Sequence, residues 1–426
     1  MNKIKKYISN FNYKRYKTAA LFTSGNFLVA IIGGISGLLY GKWIDPGTLG
    51  EFNKYGILTG YLAFGIIFVD AAFQRHFPYY LGKGNKEKAL EIASYAKWFY
   101  QALFYLGLLI FSVLALNALF NHNYRGFAGW SAQILAYGIT TLGLYLNILY
   151  RSNDDFLKLN RNMLITAGMG VLTLPLIYFF HFSGLAVRKI LQDFTNLYTL
   201  YKRAPYRVKA KFNLKEIKNL AKVSLPLQLP VYLDSHLLKA TISLFILKYL
   251  GEEQLGLFAM ALMLQGFLLV FSKSLNQIIV TKLMLKFGSN DSLNETFKYI
   301  IKPVVALSLS SLILVLIFNY LIGYAVPIFL PMYVGSIVIL QILAFELVLA
   351  LARVPFTLFI SSLMYKEMIV IRVTKVLITF LALLFFHENL TQIALVIISA
   401  NLLNLIAGYI LLLYKLKTKP ILRIKE

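Results

Sequence analysis

Cysteine is absent from the chain, which excludes disulfides, zinc–thiolate sites and iron–sulfur clusters but says little about compartment. Charge is scarce: only 14% of the 426 residues are Asp, Glu, Lys or Arg, against roughly 25% in an ordinary soluble domain. The scarcity is one-sided, with 18 acidic residues, 43 Lys and Arg, and a formal net charge of +25. Histidines are few, and those at 76, 122, 181, 236 and 387 are scattered without metal-ligand spacing. No G-x-x-x-x-G-K-[ST] sequence occurs, so phosphates are not bound in the P-loop manner. No Ser/His/Asp arrangement can be argued either. The sequence therefore offers no catalytic residue, no metal site and no cofactor site.

What the chain has in excess is apolar length. Hydrophobic residues make up 58% of it, and runs of 18 or more recur throughout, each long enough for about 30 Å of hydrocarbon. This composition reads as an all-α, polytopic membrane protein. No short apolar segment with a small-residue cleavage site opens the chain, so no removable signal peptide is expected. The first 17 residues, MNKIKKYISNFNYKRYK, carry six cations and read as a cytoplasmic, interfacial arm. A charge of +25 would suggest nucleic acid in a soluble protein. In a membrane protein the side on which the cations lie matters first, and no nucleic-acid partner is expected.

Apolar runs place spans near 18–41, 53–73, 96–120, 128–150, 163–182, 223–247, 256–280, 303–323, 332–352, 368–386 and 392–414. A twelfth, 183–201, contains Arg188, Lys189 and Asp193, and a hydropathy window is expected to reject it. Charge on the loops argues that it spans nevertheless. With it, most cations fall on one side, and the other side holds Lys42, Lys54, Arg125 and Lys248. Without it, the eight cations of 202–222 would lie outside, away from the anionic inner lipid surface. Twelve spans with both termini cytoplasmic are expected.

The stretch KWIDPGTLGEFNKY from Lys42 is echoed by KYLGEEQLGLFAMA from Lys248, at an offset of 206 residues. Lys42/Lys248, Trp43/Tyr249, Leu49/Leu255, Gly50/Gly256 and Phe52/Phe258 correspond, and Gly82/Gly288 match at the same offset. A repeat of six spans is even, so the halves are parallel and related by an axis along the membrane normal. The expected domains are 1–208, including the basic arm 1–17, and 209–426, two six-helix bundles around a central cavity. Such a duplication is a transporter arrangement.

Charges inside a bilayer cost roughly 2.5–3.5 kcal/mol each on the mildest scale, so they are expected to face protein or a wet cavity. In span six, Lys189, Gln192, Asp193, Asn196 and Thr199 share one helical face. That face either lines an aqueous cavity, or Lys189 and Asp193 form an i,i+4 pair that helps the helix insert; both can hold. In span seven, Tyr232, His236, Lys239 and Ser243 repeat the pattern, and Pro226 and Pro230 should bend the inner part of the helix. Lys239 is the expected cavity cation, with a structural pair to Asp234 or Glu346 as the other reading. Span one offers glycines at 25, 33, 34 and 37, read as allowing close packing. Asp70, Arg75, Lys273 and Arg353 lie nearer the span ends, where the three cations would snorkel. Glu346 is deep, either carrying a coupling proton or sodium ion or sitting neutral and hydrogen-bonded. The cavity so composed is more positive than negative, which favours an anionic substrate over lipophilic cations.

Enzymes acting on lipid-linked sugars commonly place catalytic residues in sizeable outer loops, and here the outer connections are short, so an enzyme is disfavoured. Four stretches, YLGEEQLGLFAMALML (249–264), AAFQRHFPYYLGKGNKEKALEIAS (71–94), LYRSNDDFLKLNR (149–161) and IFLPMYVGSIVILQILAF (328–345), resemble the polysaccharide or O-antigen (oligosaccharide-lipid) flippase branch of the multidrug/oligosaccharidyl-lipid/polysaccharide exporter superfamily. The resemblance covers nearly the whole chain. It implies a V-shaped pair of six-helix bundles that alternate access and carry an undecaprenyl-diphosphate-linked sugar unit between leaflets of a bacterial inner membrane. Implied partners are the lipid-linked oligosaccharide, membrane lipids and polysaccharide polymerase machinery. Family members hold the headgroup in a cationic cavity, which points here to Arg75 and Lys239. One departure is that relatives often show an Asp-Arg pair where this chain has Ile242-Ser243. The expected substrate set is Lys239, Lys189, Arg188 and Arg75, with Gln192, Asn196, Tyr232 and His236 as polar lining. Asp193, Asp234, Glu346 and Asp70 are the candidates for ion coupling. The alternatives are a cation-coupled drug exporter of the same superfamily and, more remotely, a membrane glycan polymerase or ligase.

Overall fold

The computed structural model describes residues 13–270, 293–361 and 364–418. The outer parts of the basic arm, the end of the expected eighth span with Lys273, and Gly288 lie outside the described residues. The described chain is helical, with no strand. In order the helices are α1 (Tyr13–Tyr40), α2 (Pro46–Leu62), α3 (Asp70–Gly82), α4 (Lys86–Phe120), α5 (Tyr124–Ser152), α6 (Phe156–Leu172), α7 (Leu174–Lys202), α8 (Leu214–Tyr232) and α9 (Leu238–Tyr249). They continue with α10 (Glu252–Val270), α11 (Leu293–Phe329), α12 (Pro331–Ala352), α13 (Thr357–Ser361), α14 (Tyr365–Phe385) and α15 (Leu390–Thr418).

Among the described residues, eight helices are long and apolar enough to cross a membrane. The pair Pro46–Phe68 and Asp70–Gly82, bent by 45°, makes a ninth. With α1, α6 and the α8–α9 pair, the arrangement is consistent with the expected twelve passes. In lipid only a helix satisfies every backbone group within itself, which is why apolar length maps so directly onto helices here. Turn chemistry marks the ends. Asp45, Asn85, Asn123 and Asn213 each cap a helix by accepting from a backbone amide three residues on, Asn213 also from the one two residues on, and Pro46 follows its cap at the first helical position. Gly251, at φ 89°, makes the left-handed turn into α10.

Side-chain contacts show that the connections alternate between two ends of the bundle. At the first end, Tyr55 meets Trp130, Phe52 meets Phe182, Trp43 meets Tyr178, and Tyr249 meets His387. At the second end, the linker between the halves lies along α4. There Lys97 Nζ donates to the Val208 carbonyl at 2.6 Å, and the Trp98 ring meets Phe212 at a tilt, with ring centres 4.5 Å apart.

One expectation needs correction. The segment 183–201 keeps its three charges and crosses only as the later part of the longer helix Leu174–Lys202, whose apolar length begins well before it. The fifth span ends earlier than 182, at Leu172, and the backbone breaks at His181 (φ 44°, ψ −112°). The residues before that break fold back so that a β-carbon on Gly184 would collide with the Leu176 carbonyl. A Thr173-Leu174-Pro175 start and a reversal at His181 thus replace a simple loop. Apolar length cannot reveal such a break, because both sides of it are apolar.

The halves meet on their repeat motifs. A β-carbon at Gly50 would run into the Glu252 carbonyl oxygen, and one at Gly256 would run into that of Pro46. The two glycines sit where α2 and α10 cross at the first end. Around the crossing, Lys54 pairs with Glu252 at 2.6 Å, and Tyr333 donates to the Ile44 carbonyl at 2.9 Å. The flanking contacts are also related by the repeat. Gly60 of α2 packs on Ala240 of α9, while Gly34 and Gly37 of α1 pack on Phe267 and Met263 of α10. Of the glycines expected to ease packing, Gly25 meets Asn160, but Gly33 has open space beside it. One apolar core, including Leu49, Ile57, Leu255, Phe258, Leu330 and Leu340, spans both halves at this end. At the second end, the last helices of the chain have their own cluster around Leu358, Phe359 and Leu412.

Gly256→Val should force the halves apart at the first end. With spin labels at Thr48→Cys and Glu253→Cys, the short-distance population measured by pulsed electron resonance is expected to be lost. An unchanged distance distribution would show that the crossing tolerates a side chain.

Candidate functional site

Span seven is not one continuous α-helix. Between α8 and α9 runs a π-helical turn, Leu233–Leu237, three residues after Pro230. Proline removes a donor, and the single wide turn takes up the extra residue. The side chains on this turn leave in two directions, as residues two positions apart on a helix do. Ser235 and His236, followed by Lys239 and Ser243 on α9, line a cavity of about 470 Å³ between the halves, facing Asn53 of α2. Phe258, Leu262 and Met263 of α10 form its apolar wall. No Asp or Glu is among the lining residues.

Asp234 turns the other way and pairs with Lys375 of α14 at 2.6 Å. It forms one part of a polar group within the second half. Glu346 pairs with Arg353 and accepts from the Asn401 amide at 2.8 Å. Arg353 also approaches Asn401 at 3.4 Å, so it turns inward instead of snorkelling to the interface.

A second cavity, of about 280 Å³, lies within the first half between α1, α6 and α7. Arg188, Gln192 and Asn196 line it at i, i+4 and i+8, with Gly33 and Ser36 of α1 and Thr166 of α6 opposite. Arg188 Nε donates to the Gly170 carbonyl at 3.0 Å, and its guanidinium lies 5.6 Å from the Tyr40 ring centre. Asn196 accepts from Asn162 at 2.6 Å.

The expected site residues therefore separate. Lys239 and His236 share the central cavity, and Arg188, Gln192 and Asn196 share the first-half cavity. Lys189 lines neither, because it pairs with Asp193 at 2.5 Å on the neighbouring face of α7. Tyr232 is buried against α2, donating to the Tyr61 carbonyl at 3.1 Å, and lines neither. Arg75 is exposed on α3, near the second end, and also lines neither. Asp70 is buried at the start of α3, accepting from Tyr100 and Gln74, each at 2.8 Å. Sequence reasoning passed over Lys375, Asn401 and Tyr40. A Lys inside an apolar run was the available signal for the first; the other two had none.

Breaking a buried ion pair from one side costs about 3–5 kcal/mol, whereas removing both charges costs far less. Lys375→Met is therefore expected to lower the unfolding temperature in detergent, and Asp234→Leu in the same protein should recover most of the loss. If the double substitution is no better than the single, the pair is not the structural unit its geometry implies.

Over residues 51–331 the sequence matches the model of a family described as polysaccharide biosynthesis protein. No curated protein sequence matches it. Among solved structures, an inward-facing multidrug resistance MATE family transporter of the MOP superfamily aligns with a TM-score of 0.69 at 13% identity, covering 94% of this chain and 98% of its own. An outward-facing one gives 0.60 at 16% identity, covering 94% and 96%. A MOP superfamily transporter from Pyrococcus furiosus, described as having a binding pocket of reverse polarity, gives 0.61 at 15% identity with the same coverage. At such identities these likenesses speak for the fold alone, which is that of the multi-pass MATE transporters; the match to the sequence model says more, and by it the chain belongs to the polysaccharide biosynthesis protein family.

Proposed function

We propose that the protein flips an undecaprenyl-diphosphate-linked oligosaccharide from the inner to the outer leaflet of a bacterial cytoplasmic membrane, for assembly of a surface polysaccharide such as O-antigen. The observation that carries this reading is the chemistry of the central cavity, where Lys239 and His236 stand with no acidic residue among the lining. A diphosphate is anionic and strongly hydrated, so it needs donors and positive charge along its path. The polyprenyl tail needs neither and stays in the lipid.

The orientation follows from loop charge. The first end, with Lys42, Arg125 and Lys248, is the outer one, and both termini are cytoplasmic. The Gly50–Gly256 crossing then closes the outer side, and the headgroup loads from the cytoplasm. The higher similarity to the inward-facing solved structure supports this direction. Opening the crossing while the second end closes would release the sugar outside, the two halves rocking about their shared axis. On this reading Lys239 holds the diphosphate, while His236, Ser235, Ser243 and Asn53 offer hydrogen bonds to it and to the first sugar.

Drug export coupled to a cation is the competing reading, favoured by the fold of the multidrug transporters. It needs an acidic residue available to a proton, a sodium ion or a cationic drug. The four embedded acids considered for that role are held instead by Lys189, Lys375, Arg353 and Tyr100.

Deletion in the native host followed by complementation separates the two. Cells lacking the protein should accumulate lipid-linked oligosaccharide, and a Lys239→Gln protein at normal level should restore little. The expected loss of export is about ten- to a hundredfold, from the roughly 1.5–3 kcal/mol of a hydrogen bond to a charged group. Normal surface polysaccharide with raised drug sensitivity would overturn the proposal.

A further inference from the structure

On the flippase reading Lys239 holds the diphosphate in the central cavity, yet the cavity within the first half also contains a cation that the bilayer makes costly. Arg188 spends one donor on the Gly170 carbonyl and rests near Tyr40. Among the described residues it forms no ion pair; the nearest acid on its helix, Asp193, is engaged by Lys189. Beside it, Gln192 makes no hydrogen bond among the described residues and lies over Gly170. A β-carbon on that glycine would collide with the Gln192 amide and approach Arg188 Nη2 at 3.4 Å. Gly170 thus leaves room for both groups to lie flat on α6 and open toward the cavity.

An embedded charge without a counter-ion is expensive, and its neighbours here provide donors and not charge. The missing partner is an oxyanion. A guanidinium fork beside a planar carboxamide matches a planar carboxylate with two oxygens. At about 280 Å³ the cavity also falls just below the roughly 300–1,000 Å³ of drug-sized sites, with room for one sugar ring and not for a chain. It lies beside the central cavity across α1: Gly33 and Ser36 face the first-half cavity, whereas Gly34 and Gly37 pack on α10, whose Met263 lines the central one. The two cavities share no lining residue, so the Arg188 site is distinct from the Lys239 site.

We propose that this cavity is a second anion subsite, which takes the carboxylate of an acidic sugar in the transported oligosaccharide. The cargo is then doubly anionic, with a diphosphate read at Lys239 and a uronate-type carboxylate read at Arg188 and Gln192. This inference rests on the flippase reading and narrows it to acidic glycans.

Binding to the full-length protein in lipid nanodiscs tests it with three probes: farnesyl diphosphate alone, its disaccharide conjugate ending in glucose, and the same conjugate ending in glucuronate. The wild-type protein should prefer the glucuronate probe over the glucose probe by about tenfold or more, as a hydrogen-bonded charge pair implies. Arg188→Gln should abolish that preference while leaving affinity for the glucose probe and for farnesyl diphosphate unchanged. Gln192→Leu should reduce the preference in part, which gives a second route if Arg188→Gln does not insert stably. Lys239→Gln should weaken all three probes alike.

If Arg188→Gln weakens all three probes equally, the guanidinium reads phosphate and the carboxylate assignment is overturned. Equal wild-type affinity for the two conjugates overturns the subsite and leaves the flippase reading intact. Failure of every probe to bind overturns both.

Discussion

Everything in the bundle is arranged around one close contact, the crossing of α2 and α10 at Gly50 and Gly256. Without a solvent that expels apolar surface, helices in lipid associate through close van der Waals approach, and small residues allow the closest approach. Each glycine lies under a backbone carbonyl contributed by the other half. The two glycines match in the sequence at an offset of 206 residues, so like segments meet at the contact. From there the flanking pairs follow in a symmetric way, α2 on α9 and α1 on α10. The result closes one end of the central cavity with backbone and apolar core, and the half-buried Lys54–Glu252 pair, still partly open to solvent, adds little beside it.

The second constraint is the cost of charge in hydrocarbon. Four embedded acids are neutralised or hydrogen-bonded by partners inside their own halves. What faces the cavities is the remainder, Lys239 and His236 in one and Arg188 in the other. Asp234 and His236, two positions apart on the π-helical turn Leu233–Leu237, leave on opposite sides of the helix, Asp234 toward Lys375 of α14 and His236 toward the central cavity. The positive character of the central cavity is therefore produced as much by where the acids are hidden as by where the bases are shown.

Helix α1 has a different task from its repeat partner. In the second half, the corresponding segment carries Lys239 and His236 into the central cavity. In the first half, Gly33 stands where Lys239 stands, 206 residues earlier, and opens the smaller cavity toward Arg188. The matching positions thus carry different side chains, and the cations of the two cavities come from different helices. Tyr40 joins the two regions, lying beside Arg188 while its hydroxyl donates to Met263 Sδ at 2.7 Å.

The all-α class, the spans, the duplication and one polar stripe on each of two helices are local properties of the chain. Apolar length sets a pass, a period of 3.6 residues sets a face, and an even repeat sets orientation; none of these needs a neighbour to be known. Partnership does need one. Sequence reasoning put both Lys189 and Arg188 among the cavity cations, and the tertiary structure kept Arg188 beside Gln192 on the first-half cavity while pairing Lys189 with Asp193. It brought Lys375 to Asp234 across 141 positions and Asn401 to Glu346 across 55. It also broke the chain at His181 within continuous apolar sequence. Helix rotation and pairing are decided by which surfaces pack most closely across the whole bundle, and that competition among distant segments is not written in any one of them.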